Sequence, residues 1–283
     1  MDDAGPDLST PDGHSGFSVS SWNVNSIKVR LPLLTEYLRE FAPDVMMLQE
    51  IKTENALFPF FELKSAGYHA LVNGQKGYAG VAILSKAPLK HVADVPAGVP
   101  DEDSPQARFI EAESENGRHF ISVYVPNGQP PASAPDSLER LEYKKAWLDA
   151  LIERVSFLMR REVSFVLGGD FNVIETDEDV YDPRPFENGA FTLPCVRERF
   201  RRLAFAGLTE ALRAKASLRP LYSYWDYQGG ARKKNNGILL DRLFLSPDFA
   251  DALKSATVDD IYRDKEKTSD HAPVRCVFTP EIV

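Results

Sequence analysis

The chain has 283 residues, 43% hydrophobic and 11% aromatic, enough to bury a large core as one sizeable domain or two small ones. A formal charge of −9 and a pI near 5.2 exclude a protein that coats polyanions wholesale, while leaving room for a local basic patch on a phosphate backbone. Two cysteines, Cys195 and Cys276, supply neither a disulfide framework nor a zinc cluster and are expected as buried thiols in a reducing compartment.

No apolar run of about 18 residues is present, and no basic stretch leads into an apolar one near Met1, so the expectation is a cytoplasmic protein with no membrane partner. Residues 1–16 are rich in Asp, Gly, Pro and Ser and read as a disordered acidic tail, because Leu8 alone cannot offset the entropy of ordering them. Phe17 to Trp22 alternates as a strand would and delivers Asn23-Val24-Asn25-Ser26 at its end. A helix follows, with Pro32 near its first turn, Leu31, Leu34, Leu38 and Phe41 as its apolar stripe, and Pro43 as its stop. Asp44 to Leu48 reads as a buried strand ending on Gln49-Glu50 and Lys52.

Val81–Leu84, Arg108–Ala112 and Phe120–Val125 continue the strand pattern, the last ahead of Pro126-Asn127-Gly128. Leu138 to Met159 has helical spacing, with Leu141, Lys145, Leu148, Ile152 and Val155 on one stripe and the Lys145 head reaching outward. Ser164 to Leu167 is a short apolar strand closed by Gly168-Gly169, and a turn is expected there, presenting Asp170 and Asn172 on one face while Phe171 points inward. Glu175 to Gly189 is acidic, contains proline and reads as an excursion loop. Val196 to Ala206 reads as a helix with Val196, Phe200 and Leu203 inward and Arg197, Arg199, Arg201 and Arg202 as a solvated face.

The last quarter brings the aromatic run Tyr222–Tyr227, the basic loop Ala231–Gly237, the strand Leu240–Ser246 and finally Ser269-Asp270-His271-Ala272-Pro273 before a closing strand. Aromatics beside a basic loop suit the faces of bases or sugars next to phosphates, with core packing as the alternative. The one internal echo pairs Ser21–Asn25 with Gly169–Val173, which suggests two similarly built halves around a cleft. Several strands thus end on polar groups: Asn23, Glu50, Tyr124 with Asn127, Asp170 with Asn172, Asp241, and Asp270 with His271. Carboxylates and amides without cysteine suit a hard, oxygen-loving ion such as Mg²⁺ together with a phosphate. Phosphate ester hydrolysis is the chemistry this set points to.

Trp22-Asn23-Val24-Asn25, Leu48-Gln49-Glu50-Ile51-Lys52, Gly80–Ser85, Tyr124–Gly128, Gly169–Asn172 and Ser269–Pro273 occur in the order seen in the exonuclease III family of abasic-site endonucleases, and the chain resembles that family over roughly residues 17–280. The resemblance implies an α/β fold, a four-layer α/β sandwich of two packed mixed β-sheets flanked by helices, and one catalytic domain over residues 17–283. It implies a Mg²⁺-dependent nuclease, with Mn²⁺ as a substitute ion, that cuts 5′ to abasic sites in double-stranded DNA and trims or degrades 3′ ends as a monomer. Position by position, it implies Glu50 as principal metal ligand with Asn23 and Asp270 nearby. Asp170 and Asn172 would serve the attacking water, His271 the scissile phosphate with Asp241 orienting it, and Tyr124 the phosphate or leaving group. Asn127, Arg108, Tyr224 and Trp225 would contact substrate, the last two at a base-free sugar.

The family usually carries an arginine two residues before the aspartate of its late strand, where this chain has Leu239. That departure puts the grip on nucleic acid in question. Two alternatives stay open: a phosphodiesterase or phosphatase acting on a small or lipid-linked phosphate, and a DNA-binding module with reduced turnover.

Overall fold

The strands Val45–Gln49 and Val81–Ser85 are apolar almost throughout because both of their faces are covered. In this computed structural model, which describes residues 16–101, 105–130, 132–215 and 221–282, twelve strands form two six-stranded sheets. With strands numbered in chain order, the first sheet holds β1 (Ser18–Asn23), β2 (Val45–Gln49), β3 (His69–Asn73), β4 (Val81–Ser85), β11 (Leu253–Val258) and β12 (Val274–Phe278). Its order is β11-β12-β1-β2-β4-β3. The second holds β5 (Lys90–Ala93), β6 (Phe109–Glu113), β7 (His119–Tyr124), β8 (Phe165–Asp170), β9 (Thr209–Glu210) and β10 (Asp241–Leu245), in the order β5-β6-β7-β8-β10-β9. The expected tail over residues 1–16 lies outside the described residues except for Gly16.

Each sheet is mixed, with one parallel pair at its centre: β1 beside β2, and β7 beside β8. Along β2, Val45 and Met47 enter the core between the sheets, while Met46 and Leu48 face the helix side with Trp22, Leu34 and Tyr37. The helix α1 (Ile27–Glu40) covers that side, and α2 (Phe60–Ser65) packs beside it. On the far side of the second sheet, α3 (Glu139–Arg160) and α4 (Pro194–Ala204) cover Ile121, Val123, Leu167 and Phe244. The result is four layers, helix, sheet, sheet, helix, as the resemblance implied. Each large apolar side chain fully buried in these layers contributes roughly 1.5–3 kcal/mol. Among the described residues, no helix is long and apolar enough to cross a membrane.

Local readings fail in instructive places. Pro32 stands well inside α1, whose first helical residue is Ile27, so the helix begins earlier than its proline suggests. Gly168 and Gly169 do not form a turn; β8 runs through both to Asp170 because they let it lie against its neighbours. A Cβ on Gly169 would sit 1.9 Å from the Val123 carbonyl oxygen, so only glycine fits. Cys276 is buried, whereas Cys195 is half-buried. On α3 Lys145 reaches outward to Glu142 near the surface, as expected, while its neighbour Lys144, off that stripe, has no exposure. The arginines of α4 do form an ion-paired outer face, Arg197 with Asp177 and Arg199 with Asp149.

Candidate active site

The central parallel strands of both sheets end at the same edge of the sandwich. Strand register sets the depth of each polar group: Asn23 lies opposite Gln49, Tyr124 opposite Asp170, and Asp170 opposite Asp241 across β10. At these ends Asn25, Glu50 and Asn172 take φ values of 44°, 49° and 49°, a left-handed conformation that costs L-residues energy and clusters at functional sites.

Asn23 is the hub. Its Nδ2 donates to Glu50 Oε1 at 2.8 Å and to Asp170 Oδ2 at 3.0 Å, and lies 3.4 Å from His271 Nε2. Groups from both sheets therefore meet on one amide. Asp170 also accepts the Asn172 backbone N–H at 2.9 Å, and the Asn172 side chain donates to the Val125 carbonyl at 2.9 Å. His271 is oriented by Asp241, whose Oδ2 lies 2.8 Å from Nδ1 and accepts a second hydrogen bond, from Ser223 Oγ, at 2.6 Å. Trp22 Nε1 donates to the His271 carbonyl at 2.9 Å and fixes the backbone under the imidazole. Tyr124 hydrogen-bonds Glu50, and the Arg108 guanidinium stacks 4.7 Å from the Tyr124 ring.

Burial and charge set the protonation of this cluster. Burial pushes the Asp170 carboxyl up, with Asp241 and Glu50 adding repulsion and the His271 imidazole opposing. Burial alone would lower the His271 pKa, but Asp241 and Asp170 outweigh it and push it up to about 10, so the imidazole is held as a cation. For Glu50, burial is outweighed by the Lys52 ammonium 2.8 Å away and by Asn23, and the carboxyl stays ionised below its usual range. Burial raises the Tyr124 phenol, and Glu50 and Asp170 raise it further, so it stays protonated.

These groups floor a cleft of about 640 Å³. One wall is apolar: Tyr224, Ile238 and Leu240 join Tyr181 and Phe186 from the acidic loop over residues 175–189 and Phe191 just beyond it. That loop is pinned by Asp179, which pairs with Arg213 at 2.8 Å and with the fully buried Arg242 at 3.1 Å. Tyr224 lines the cleft, its ring 4.9 Å from that of His271. Trp225 does not. It is 2% exposed, packed with Tyr222, Ala231 and Ala272 beneath the cleft, because its indole N–H is taken by Asn235 and its face by Arg232. Asn127 lines the cleft, whereas Arg108 opens onto a neighbouring hollow with Tyr78, Arg140 and Tyr143. Leu239 has no exposure and packs between the sheets, so the position of the missing arginine faces away from any ligand.

A ligand atom from each of Glu50, Asp170 and His271 lies within 4.8 Å of the others. The charged His271 is a poor ligand, which leaves two carboxylates open to the cleft, a donor set that suits a hard divalent cation keeping most of its waters. Asn23 meets these carboxylates as a donor through its nitrogen. Asp270 lines the cleft outside the cluster, its Oδ1 accepting from Asn25 at 3.0 Å.

Comparison with known proteins identifies the family and the fold. Residues 20–271 match the model of the Endonuclease/Exonuclease/phosphatase family. An exodeoxyribonuclease of Bacillus subtilis is 31% identical over 265 residues, covering 91% of this chain and 98% of that one. Among solved structures, the 3′-5′ exonuclease NExo of Neisseria meningitidis superposes with a TM-score of 0.86 at 37% identity, covering 93% of this chain and all (100%) of that one. An AP endonuclease of Archaeoglobus fulgidus gives 0.84 at 31% identity, covering 93% and 99%.

Proposed function

The chain belongs to the endonuclease/exonuclease/phosphatase family and is a hydrolytic nuclease, and on that footing we propose that it is a Mg²⁺-dependent DNA repair enzyme. Its substrate would be double-stranded DNA, cut 5′ to abasic sites, with 3′-5′ exonuclease or 3′-end trimming activity. Similarity to a neisserial protein described as a 3′ phosphatase bound to product DNA hairpin supports the trimming. The observation that carries the reading is the convergence of Glu50, Asp170 and His271 beside an apolar wall that suits a sugar without a base.

In this reading Asp170, with its pKa raised, orients and deprotonates a water, and Asn172 holds the phosphate. The water oxygen bonds to phosphorus as the bond to the 3′-oxygen breaks; the water's proton goes to Asp170 and from there to solvent, and the departing oxygen takes a proton from bulk water. The His271 cation donates to a phosphate oxygen where negative charge grows, and Tyr124 stands by as donor on the same side. Glu50 would hold the ion, with Asn23 and Asp270 around it; when bound, Mg²⁺ or Mn²⁺ supplies positive charge to the phosphate and the departing oxygen. A monomer in the cytoplasm fits this role. The test is one duplex with a single abasic analogue beside an undamaged control, each with Mg²⁺ and with chelator: metal-dependent cutting 5′ to the lesion is expected, and equal inertness of both duplexes overturns the reading.

A further inference from the structure

Beneath the floor of the cleft lies a charged group that this reaction scheme leaves unused. Lys144 has no exposure, and its Nζ donates to the backbone carbonyls of Asn172 at 2.6 Å, Ala190 at 2.9 Å and Asn127 at 3.1 Å. Three carbonyl acceptors match the three donors of an ammonium. The carbonyls come from three separate segments: the exit of β7, the exit of β8 and the loop ahead of α4. Each segment carries cleft residues, Asn127 on the first, Asn172 on the second and Phe186 and Phe191 on the third.

We propose that Lys144 is a positioning residue for the hydrolysis, its ammonium tying these three segments so that the phosphate contacts and the apolar wall keep their spacing. The inference rests on the nuclease reading. Without a central cation, three carbonyl dipoles would point at one another in a dry space, and the segments would move apart. Asn172 is fixed from both sides as a result: its carbonyl by Lys144, its N–H by Asp170 and its side chain by Val125.

The chain around the lysine stem is shaped to let it through. Gly128, at φ 80°, has no room for a side chain, since a Cβ would stand 2.7 Å from Lys144 Cδ and 3.3 Å from Ala190 Cβ. The Phe191 ring closes the cage 5.2 Å from Nζ, so the same ring is a lid on the lysine and a wall of the cleft. Burial pulls the Lys144 pKa down to about 7, with Asp170 the main group pulling it back up.

The test is Lys144→Met, which keeps the length of the stem and removes its donors, assayed on the abasic duplex at saturating Mg²⁺ and at a temperature where the variant is fully folded. The expected result is a kcat lower by about 100-fold, the cost of displacing reacting groups by about an ångström, with KM for the duplex changed by less than about threefold. Should Lys144→Met not accumulate as folded protein, Lys144→Gln, whose amide can serve two of the three carbonyls, takes its place with the same expected split. A folded variant with unchanged kcat and a lower melting temperature overturns the positional role and leaves Lys144 as ordinary structure. Wild-type protein in the same assay separates the two readings, because its inertness would overturn the nuclease reading itself.

Discussion

Asp241 holds His271 through a single oxygen: Oδ2 lies 2.8 Å from Nδ1 and also accepts from Ser223, while Oδ1 is buried without a hydrogen-bond partner. The imidazole is therefore oriented by one strong charged contact, and the same contact is the largest influence keeping it protonated.

Asp241→Asn and His271→Asn should consequently be strongly non-additive, with a coupling of about 1–3 kcal/mol in transition-state stabilisation. The check is a double-mutant cycle in kcat/KM on the abasic duplex. Additive losses would show that the two side chains act separately.

Glu50→Gln should depress turnover more than DNA binding, since it weakens the ion site while leaving shape and most contacts in place. The loss should exceed the roughly 10–100-fold typical of disturbing a ligand's outer partners, and added Mn²⁺ should restore part of it. Metal titration followed by calorimetry, with duplex binding measured in parallel, reads both effects. Cutting at the parental rate would make Glu50 structural.

Away from the cleft, Glu111 accepts from Arg154 at 2.7 Å and lies 2.6 Å from His119 Nδ1, with no exposure of its side chain. Burial alone would raise its pKa, but the hydrogen bonds and charges of His119 and Arg154 outweigh it and lower it. A depressed folded pKa means a contribution present above the ordinary carboxylate value and lost as pH falls through the folded one. Unfolding free energy should therefore drop on the acid side of about pH 4.3, and Glu111→Gln should flatten that limb and cost on the order of 3 kcal/mol at neutral pH. Urea melts across pH test this; an unaltered acid limb in the variant would refute it.

Leu239→Arg should place a guanidinium in the core between the sheets and destabilise the protein by about 3–5 kcal/mol, lowering soluble yield. The doubt raised by the absent arginine thereby lapses as a question of DNA contact, because the position never reaches the cleft. A soluble variant with an unchanged melting point and a steeper salt dependence of DNA binding would contradict this.

How far the sequence could be read follows from what each signal depends on. Glu50, Asp170, Asp241 and His271 were legible because a polar residue at the end of an apolar strand is a local pattern, and parallel strands bring such ends together. Tyr181 and Phe186 were not, because they lie in an acidic stretch with no periodicity to mark an apolar side, and Phe191 just past it has none either. Trp225 was misplaced because aromatic composition shows that a cluster exists, and the direction of each ring depends on distant partners such as Asn235 and Arg232. Lys144 was invisible for a related reason: its three partners stand 17, 28 and 46 residues away, and helical spacing treats both neighbouring lysines as solvent-bound heads.

The hub at Asn23 also bears on how the protein comes to be active. Its contact with Asp170 spans 147 residues, and the neighbouring bond from Trp22 to the His271 carbonyl spans 249. Pairings this distant form late, after most of the loop-closure entropy has been overcome. A chain with only one sheet assembled holds Glu50 or Asp170 in place, never both with His271. Hydrolytic competence thus arrives together with completed folding, and a partly folded molecule is a harmless neighbour to intact DNA.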